Sequence, residues 1–456
     1  MANRRLARSA IAVIAIVLMV AAWAPIAAQS GRAEIWVTEQ SGTSGRLLIY
    51  DAYQFHQRAE ATVPETISFD ADDDPATQTV GDLCRSQTGS VPTRAHVVEF
   101  NNNGSHGIVS FVATGHVAFI AAGTRAAVGC VDVGAQAHAA TAAPDGTYVV
   151  VANQNGKLLQ RIRTNYSANT FVLDDAATIN LATCTTPNGV ACQDGLAAAA
   201  VVRPDTAPIY PAFDRTGRLV FVTLRGGGMF VVDPTATPMR IISEYDRNAV
   251  HANGLIGVES RGKMYVNSGG GDAANPAEFD VYSFTLRDFP ASGFTAVNSP
   301  APRTVITRDT GNHDAHGMML TREQYLWIAD RFGNTIDVVD TVTDTLVKTF
   351  SLSGPLANDP TPDLLALHPL VNYAVVSLRG PCPLTGNAAG VNNAVGTSPG
   401  VGLISIDDGG LSGRLQSIAP VKRVDATIAN CAPAGASVSN DRADLHGIAV
   451  RVIPRP

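Results

Sequence analysis

The chain has 456 residues, with 33 Lys and Arg against 40 Asp and Glu, a formal net charge of −7 and only 16% charged residues. With no run of Lys or Arg beyond the N-terminal segment, this balance excludes a nucleic-acid surface, which needs a clustered basic patch. The 41 Gly and 26 Pro, set among abundant Val, Thr and Ala, favour turns and short strands over long helices and point to small or neutral partners.

Arg4, Arg5 and Arg8 precede an apolar run from Ala10 to Ala24, and the small residues Ala27, Ala28 and Ser30 follow Pro25. This layout predicts a secretory signal over residues 1–30, cleaved after Ala28 or Ser30, and a periplasmic or secreted mature chain. A retained N-terminal anchor is the alternative reading of the segment. No later stretch approaches the roughly 20 apolar residues of a spanning helix, so the mature chain is not expected to be integral to a membrane. Six cysteines in an exported chain suggest up to three disulfides. Cys184 and Cys192 bracket a Thr-Pro-Asn-Gly turn and are the predicted pair; Cys84 with Cys130 and Cys382 with Cys431 are then left over. No Cys-x-x-Cys spacing occurs, which argues against a thiolate metal site.

The predicted strands come in similar sets. The mature chain opens with Glu34 to Thr38, followed by a Gly/Ser turn and Arg46 to Asp51. Paired runs follow at Val117 to Ala122 with Val128 to Val133, and at Tyr148 to Asn153 after a strand-like stretch from His138. They recur at Arg218 to Leu224 with Gly228 to Asp233, Lys263 to Ser268 with Phe279 to Phe284, Tyr325 to Asp330 with Thr335 to Asp340, and Tyr373 to Leu378 with Val401 to Asp407. Alternating, β-branched runs bounded by Asp, Asn and Gly read as β-meanders. Six units carry their own second and third strands, and the seventh is split: His446 to Ile453 supplies the first strand of the N-terminal set. The predicted fold is therefore all-β, a seven-bladed β-propeller over residues 31–456 whose N- and C-terminal strands close one blade and leave no open sheet edge. Residues 181–206 and 381–400 read as inserted loops.

Val150-Val151-Ala152-Asn153, Tyr265-Val266-Asn267 and Trp36-Val37-Thr38 resemble the Tyr-Val-Thr-Asn repeat of a bacterial β-propeller family. That resemblance covers nearly the whole mature chain and implies the fold; many activities share the scaffold.

The first strand of a propeller blade lines the central channel. Six to ten residues ahead of each predicted second strand stand His106, His138, Ile209 beside Tyr210, Asn253, His316, Asp363 and His446, with His251 and His313 just upstream of two of them. Six of the ten histidines fall in or beside this position. A ring of neutral imidazoles with open positions suits copper, zinc or iron better than calcium. The expected metal ligands are His106, His138, His251, His313, His316 and His446, with Asp363 supporting them or acting as acid or base. In this respect the chain resembles histidine-lined propellers that carry copper, such as the nitrous oxide reductase propeller and the selenium-binding, methanethiol-oxidising family. Asn253-Gly254-Leu255 followed by Tyr265-Val266-Asn267 also looks like a blade of the calcium-dependent lactonase propellers, which would make Asn253 and Asp363 oxygen ligands. His56, His96, His116 and His368 read as surface or structural residues.

Three functional classes follow. The first is a metal-dependent oxidoreductase acting on a small molecule, copper favoured. The second is a lactonase-type hydrolase using calcium. The third is a non-catalytic scaffold that presents its loops to a protein partner. A monomer is expected in each case.

Overall fold

The computed structural model describes residues 32–41, 44–72, 78–194, 203–269, 279–290, 299–308, 310–381, 394–424 and 441–453. The signal segment, Cys382 and Cys431 lie outside the described residues. Short β-rich runs separated by Gly and Asn turns leave each strand to pair with its immediate sequence neighbour, and the result is seven antiparallel sheets.

Six sheets are meanders of strands consecutive in sequence. They are blade 2 (from Ala95–Phe100), blade 3 (Ala137–Ala142), blade 4 (Pro208–Phe213), blade 5 (Gly257–Ser260), blade 6 (Ala315–Thr321) and blade 7 (Pro362–Leu367), each named here by its innermost strand. Blade 1 joins the two ends of the chain: Leu445–Ile453 pairs with Arg32–Glu39, which pairs with Arg46–Asp51 and then Glu65–Ser68. The expected ring of seven blades and its closure by both termini are thus what the chain forms. Among the described residues, two α-helices, Ala52–Arg58 and Val80–Thr88, decorate it. No helix among the described residues is long and apolar enough to cross a membrane.

The core lies between blades, where the alternating apolar faces of neighbouring sheets meet. Trp36, Leu47 and Ile49 of blade 1 pack on Val109, Phe111 and Ile120 of blade 2. Val150 and Leu159 of blade 3 pack likewise on Val220, Val222 and Phe230 of blade 4. Gly107 makes room for Trp36: a Cβ there would lie 2.4 Å from the indole ring. Two disulfides tie down the periphery, the expected Cys184–Cys192 and a second, Cys84–Cys130.

One element differs from the sequence reading. The run at Val117 to Ala122 belongs to the third strand of blade 2, His116–Ala121, and its second strand is His106–Phe111. Both strands are apolar and almost wholly buried, so either fits the second-strand pattern. The consequence is a shift of one strand: the inner strand of blade 2 is Ala95–Phe100, and His106 does not stand on it.

Candidate functional site

The inner strands of six blades begin alike. Their second residue is His446 in blade 1, His96 in blade 2, His138 in blade 3, Ile209 in blade 4, His316 in blade 6 and Asp363 in blade 7. Around this residue each inner strand carries one residue more than its partner. Ala95 and Val98 pair with Phe111 and Val109, and the same shift recurs between Ala137 and Ala139, Pro208 and Pro211, Ala315 and Met318, Pro362 and Leu365, and Leu445 and Ile448. Such a bulge bends the strand and re-aims its side chain. Repeated around a ring, it brings side chains from separate blades together at one end of the axis.

The preceding blade holds the four histidines of this set by their carbonyls. Thr38 Oγ1 donates to the His96 carbonyl at 2.5 Å, Ser110 Oγ to that of His138 at 3.0 Å, Asn267 Nδ2 to that of His316 at 2.6 Å and Ser377 Oγ to that of His446 at 2.5 Å. Thr38 and Asn267 are the polar ends of the repeat motifs, so the motif does positional work at the site. Gly447 and Gly317 permit the close approach of neighbouring strands. A Cβ on Gly447 would lie 2.7 Å from the His96 carbonyl oxygen, and one on Gly317 would lie 2.3 Å from that of Asp363.

The result is a continuous chain of four imidazoles. Nε2 of His138 faces Nε2 of His96 at 3.3 Å, the His96 ring stacks on His446 with centroids 3.7 Å apart, and Nε2 of His446 faces Nε2 of His316 at 3.2 Å. Asp363 closes the far end, its Oδ1 lying 2.7 Å from His316 Nε2 and 3.7 Å from His446 Nε2. His316, Asp363 and His446 form the group of ligand-type side chains whose donor atoms all lie within 4.8 Å of one another. Asp363 Oδ1 and His446 Nδ1 are buried without a hydrogen-bond partner of good geometry.

The ring orientations are set from behind. His138 Nδ1 lies 3.0 Å from the Ile209 carbonyl oxygen, which can only accept, so Nδ1 carries the proton. His96 Nδ1 lies 2.7 Å from Gln40 Oε1, and the Gln40 amide is held in that sense by donating its Nε2 to Asp444 at 3.3 Å. Burial holds all four imidazoles below the ordinary histidine range, His138 down to about 3, so each ring is neutral near pH 7. Burial alone would raise the Asp363 carboxyl, but the charge of Arg331 and the polar contact with His316 hold it low.

Beneath the imidazoles lies a layer of buried charge. Arg331 binds Asp314 through Nε and reaches Asp363 Oδ2 at 3.5 Å; Arg379 reaches Asp363 Oδ2 at 3.6 Å and Asp444 Oδ1 at 3.2 Å. All five side chains are at most 4% exposed. Three carboxylates therefore face two guanidinia, leaving one negative charge whose free oxygen, Asp363 Oδ1, points at the imidazoles.

The expected ligands divide accordingly. His138, His316, His446 and Asp363 come together at the axis. His106 does not: its Nδ1 meets Ser105 Oγ at 2.8 Å and its Nε2 meets Asn169 Oδ1 at 2.9 Å, on the second strand of blade 2. His251 and His313 stand ahead of inner strands, each with Nδ1 against a carboxylate of its own blade, Asp280 at 2.9 Å and Asp330 at 2.6 Å, and neither belongs to the close ligand group. Asp314 and Asp444 serve the arginines rather than the spare ring nitrogens. His96, read from the sequence as structural, is the true equivalent in blade 2. The signal that could have found it is Ala95 to Phe100, a short β-rich run one hairpin upstream.

No family model matches the sequence, and no curated protein matches it. Among solved structures, the chain is similar to a periplasmic gluconolactonase of Pseudomonas aeruginosa, at 10% identity and TM-score 0.53 over 93% of this chain and 100% of that one. It is also similar to a putative 6-phosphogluconolactonase of Bacteroides fragilis, at 11% identity and TM-score 0.53 over 86% and 97%. A Lactobacillus plantarum protein matches at 12% identity and TM-score 0.55 over 86% and 97%. At such identities the likeness carries the fold and nothing finer: this chain is a seven-bladed β-propeller.

Proposed function

We propose that the axial group binds a first-row transition metal and that the protein is an exported metal-dependent oxidoreductase acting on a small molecule. The observation that carries this reading is the confrontation of His96 and His138. Both rings hold their proton on Nδ1, so two Nε2 lone pairs face each other at 3.3 Å with no donor between them. A cation relieves that contact. In a tetrahedral site with metal–nitrogen bonds of about 2.0–2.1 Å, two ligand nitrogens lie roughly 3.3 Å apart, close to both imidazole pairs. The surplus charge of Asp363 points the same way.

His316, His446 and Asp363 are the proposed primary ligands, with His96 and His138 extending the donor set. Four imidazoles favour copper; the added carboxylate also suits zinc and iron. Such a metal supplies electron exchange or Lewis-acid activation when bound. The chain's own residues set the geometry. Ile209 and Gln40 fix two tautomers, and Arg331 and Arg379 hold Asp363 Oδ2 so that Oδ1 stays directed at the rings. His138 and His316, at 8% and 7% exposure against 2% for the other two, mark the side of entry. Export to the periplasm or medium belongs to the same proposal, and the two disulfides support an oxidising compartment.

The test is metal analysis of protein produced by export and reconstituted separately with copper, zinc and iron(II). About one tightly held equivalent per chain is expected for the preferred ion, and it should be lost in His316→Ala/His446→Ala while circular dichroism shows the propeller intact. Absence of metal in the wild type, or full retention in the double variant, overturns the assignment. A second reading, metal-assisted lactone hydrolysis, draws on the carboxylate in the donor set, on Asn253 as a further oxygen ligand for calcium, and on the names of the two lactonase neighbours. Hydrolysis of gluconolactone by the calcium-loaded chain, without redox turnover by the copper-loaded one, would favour it. The scaffold reading is left if no ion binds.

A further inference from the structure

Residues of the inner strands also line a second space, partly open to its surroundings. It is a chamber of about 280 Å³, walled by residues of the inner strands of blades 1, 2, 4 and 7 and by Ile256 ahead of that of blade 5. Val98, Phe100, Ile256, Leu365, Ile448 and Val450 bring apolar side chains to a wall whose exposed surface is about equally polar and apolar. Two residues bring polar side chains to it. Glu99, on the inner strand of blade 2, contributes a half-buried carboxylate, and Tyr210, on that of blade 4, donates its hydroxyl to Glu99 Oε1 at 2.7 Å.

Glu99 forms no ion pair with any basic side chain among the described residues, unlike Glu34, Glu39 and Glu244, each of which meets an arginine. A carboxylate removed from water is costly unless a cation or several donors accompany it. Among the described residues, the accompanying group is one phenol. Burial pushes the Glu99 carboxyl up, against the hydrogen bond from Tyr210, because the charged form is disfavoured where water is excluded. The two aromatic rings in the wall, Phe100 and Tyr210, can present faces to a positive charge. A space of this size holds a molecule of on the order of ten non-hydrogen atoms, given the roughly 30 Å³ that one water occupies.

We propose that this chamber is a binding site for a small organic ammonium ion: a primary amine whose charged nitrogen pairs with Glu99 and whose apolar body fills the space between the inner strands. Tyr210 keeps one carboxylate oxygen engaged, so the other is presented to the ligand. The site is independent of the metal group, which lies at the starts of the same strands.

The test is isothermal titration of the purified protein with benzylammonium and with its neutral counterpart, benzyl alcohol. Wild type should bind benzylammonium with one-to-one stoichiometry and about tenfold or more tighter than benzyl alcohol, the scale of a charge-assisted hydrogen bond. Glu99→Gln preserves shape and the bond from Tyr210, and should abolish the preference for the amine while leaving the weak binding of the alcohol. Ala366→Phe, which fills the chamber, should remove both. The titrations are repeated on His316→Ala, where unchanged amine binding shows that no metal is the acceptor. An undiminished preference in Glu99→Gln, or no binding of benzylammonium by the wild type, overturns the proposal and leaves the metal assignment untouched.

Discussion

His368 has both ring nitrogens committed. Its Nε2–H donates to the Ala52 carbonyl of blade 1 at 2.8 Å, and its Nδ1 accepts from the Leu370 N–H at 3.0 Å, so the neutral ring spans the seam where blade 7 meets blade 1. Burial pushes its pKa down to about 4, against 6.5 for the free side chain. Between these values the unfolded chain binds a proton that the folded chain refuses, so stability falls as pH drops below about 6.5 and the loss is complete near pH 4. A shift of this size is worth about 3 kcal/mol. Denaturant titrations at pH 7 and pH 4.5 should show a decline to which the buried axial histidines also contribute, and His368→Gln should make it shallower while lowering stability at pH 7. An identical pH slope in the variant would remove His368 as a source. The axial imidazoles differ from His368 in one respect that matters for function. The outward nitrogens of His96 and His138 are satisfied by protein, and their inward ones face each other.

At the scale of single elements, the two disulfides perform unequal tasks. Cys84, on the helix Val80–Thr88, is tied to Cys130 on the outermost strand of blade 2 across 46 residues, whereas Cys184 and Cys192 close a loop of 8. Chain-entropy reasoning assigns about 4 kcal/mol to the longer closure and about 2.5 kcal/mol to the shorter. Paired Cys→Ser variants should therefore rank in that order in denaturant midpoint, and the reverse order would show that the helix stays docked by packing alone. Inner strands are specialised differently. Six of them carry a bulge where the axial residue stands, and at the four histidines the neighbouring blade supplies a hydroxyl or amide that holds the carbonyl. The repeat motif that marks a blade in the sequence is thus also a device for aiming the residue ahead of the next blade.

At the scale of the molecule, closure of the ring rests on Leu445–Ile453. This strand covers the edge of Arg32–Glu39, buries Leu445 and Ile448 and carries His446 to the axis. Deleting the residues after Asp444 should cost at least about 4 kcal/mol, counting only the two buried aliphatic side chains at about 2 kcal/mol each. It should also broaden the unfolding transition, since the apolar faces of blades 1 and 7 lose a partner. A truncated chain that unfolds at the intact midpoint would show that the ring does not depend on its seam. The same closure explains why His446, from the end of the chain, and His96, from near its beginning, can stack. In a propeller, sequence distance and axial distance are unrelated.

The number of blades, their boundaries in six cases and the split of the seventh between the termini were legible in the sequence, because strand alternation and turn residues are local properties repeated along the chain. So was the concentration of His138, His316, His446 and Asp363 just ahead of second strands. Two consecutive apolar strands in blade 2 look alike locally, and only the pairing Ala95–Phe100 with His106–Phe111 decides that His96, not His106, reaches the axis. Only the folded ring determines that two Nε2 atoms face each other with their protons committed elsewhere, that Arg331 and Arg379 leave one oxygen of Asp363 unanswered, and that Glu99 stands in a pocket with Tyr210 from another blade. These are relations between blades, set by bulges and by bonds across the axis, and a strand's own sequence does not record the side chain that a different blade will place opposite it.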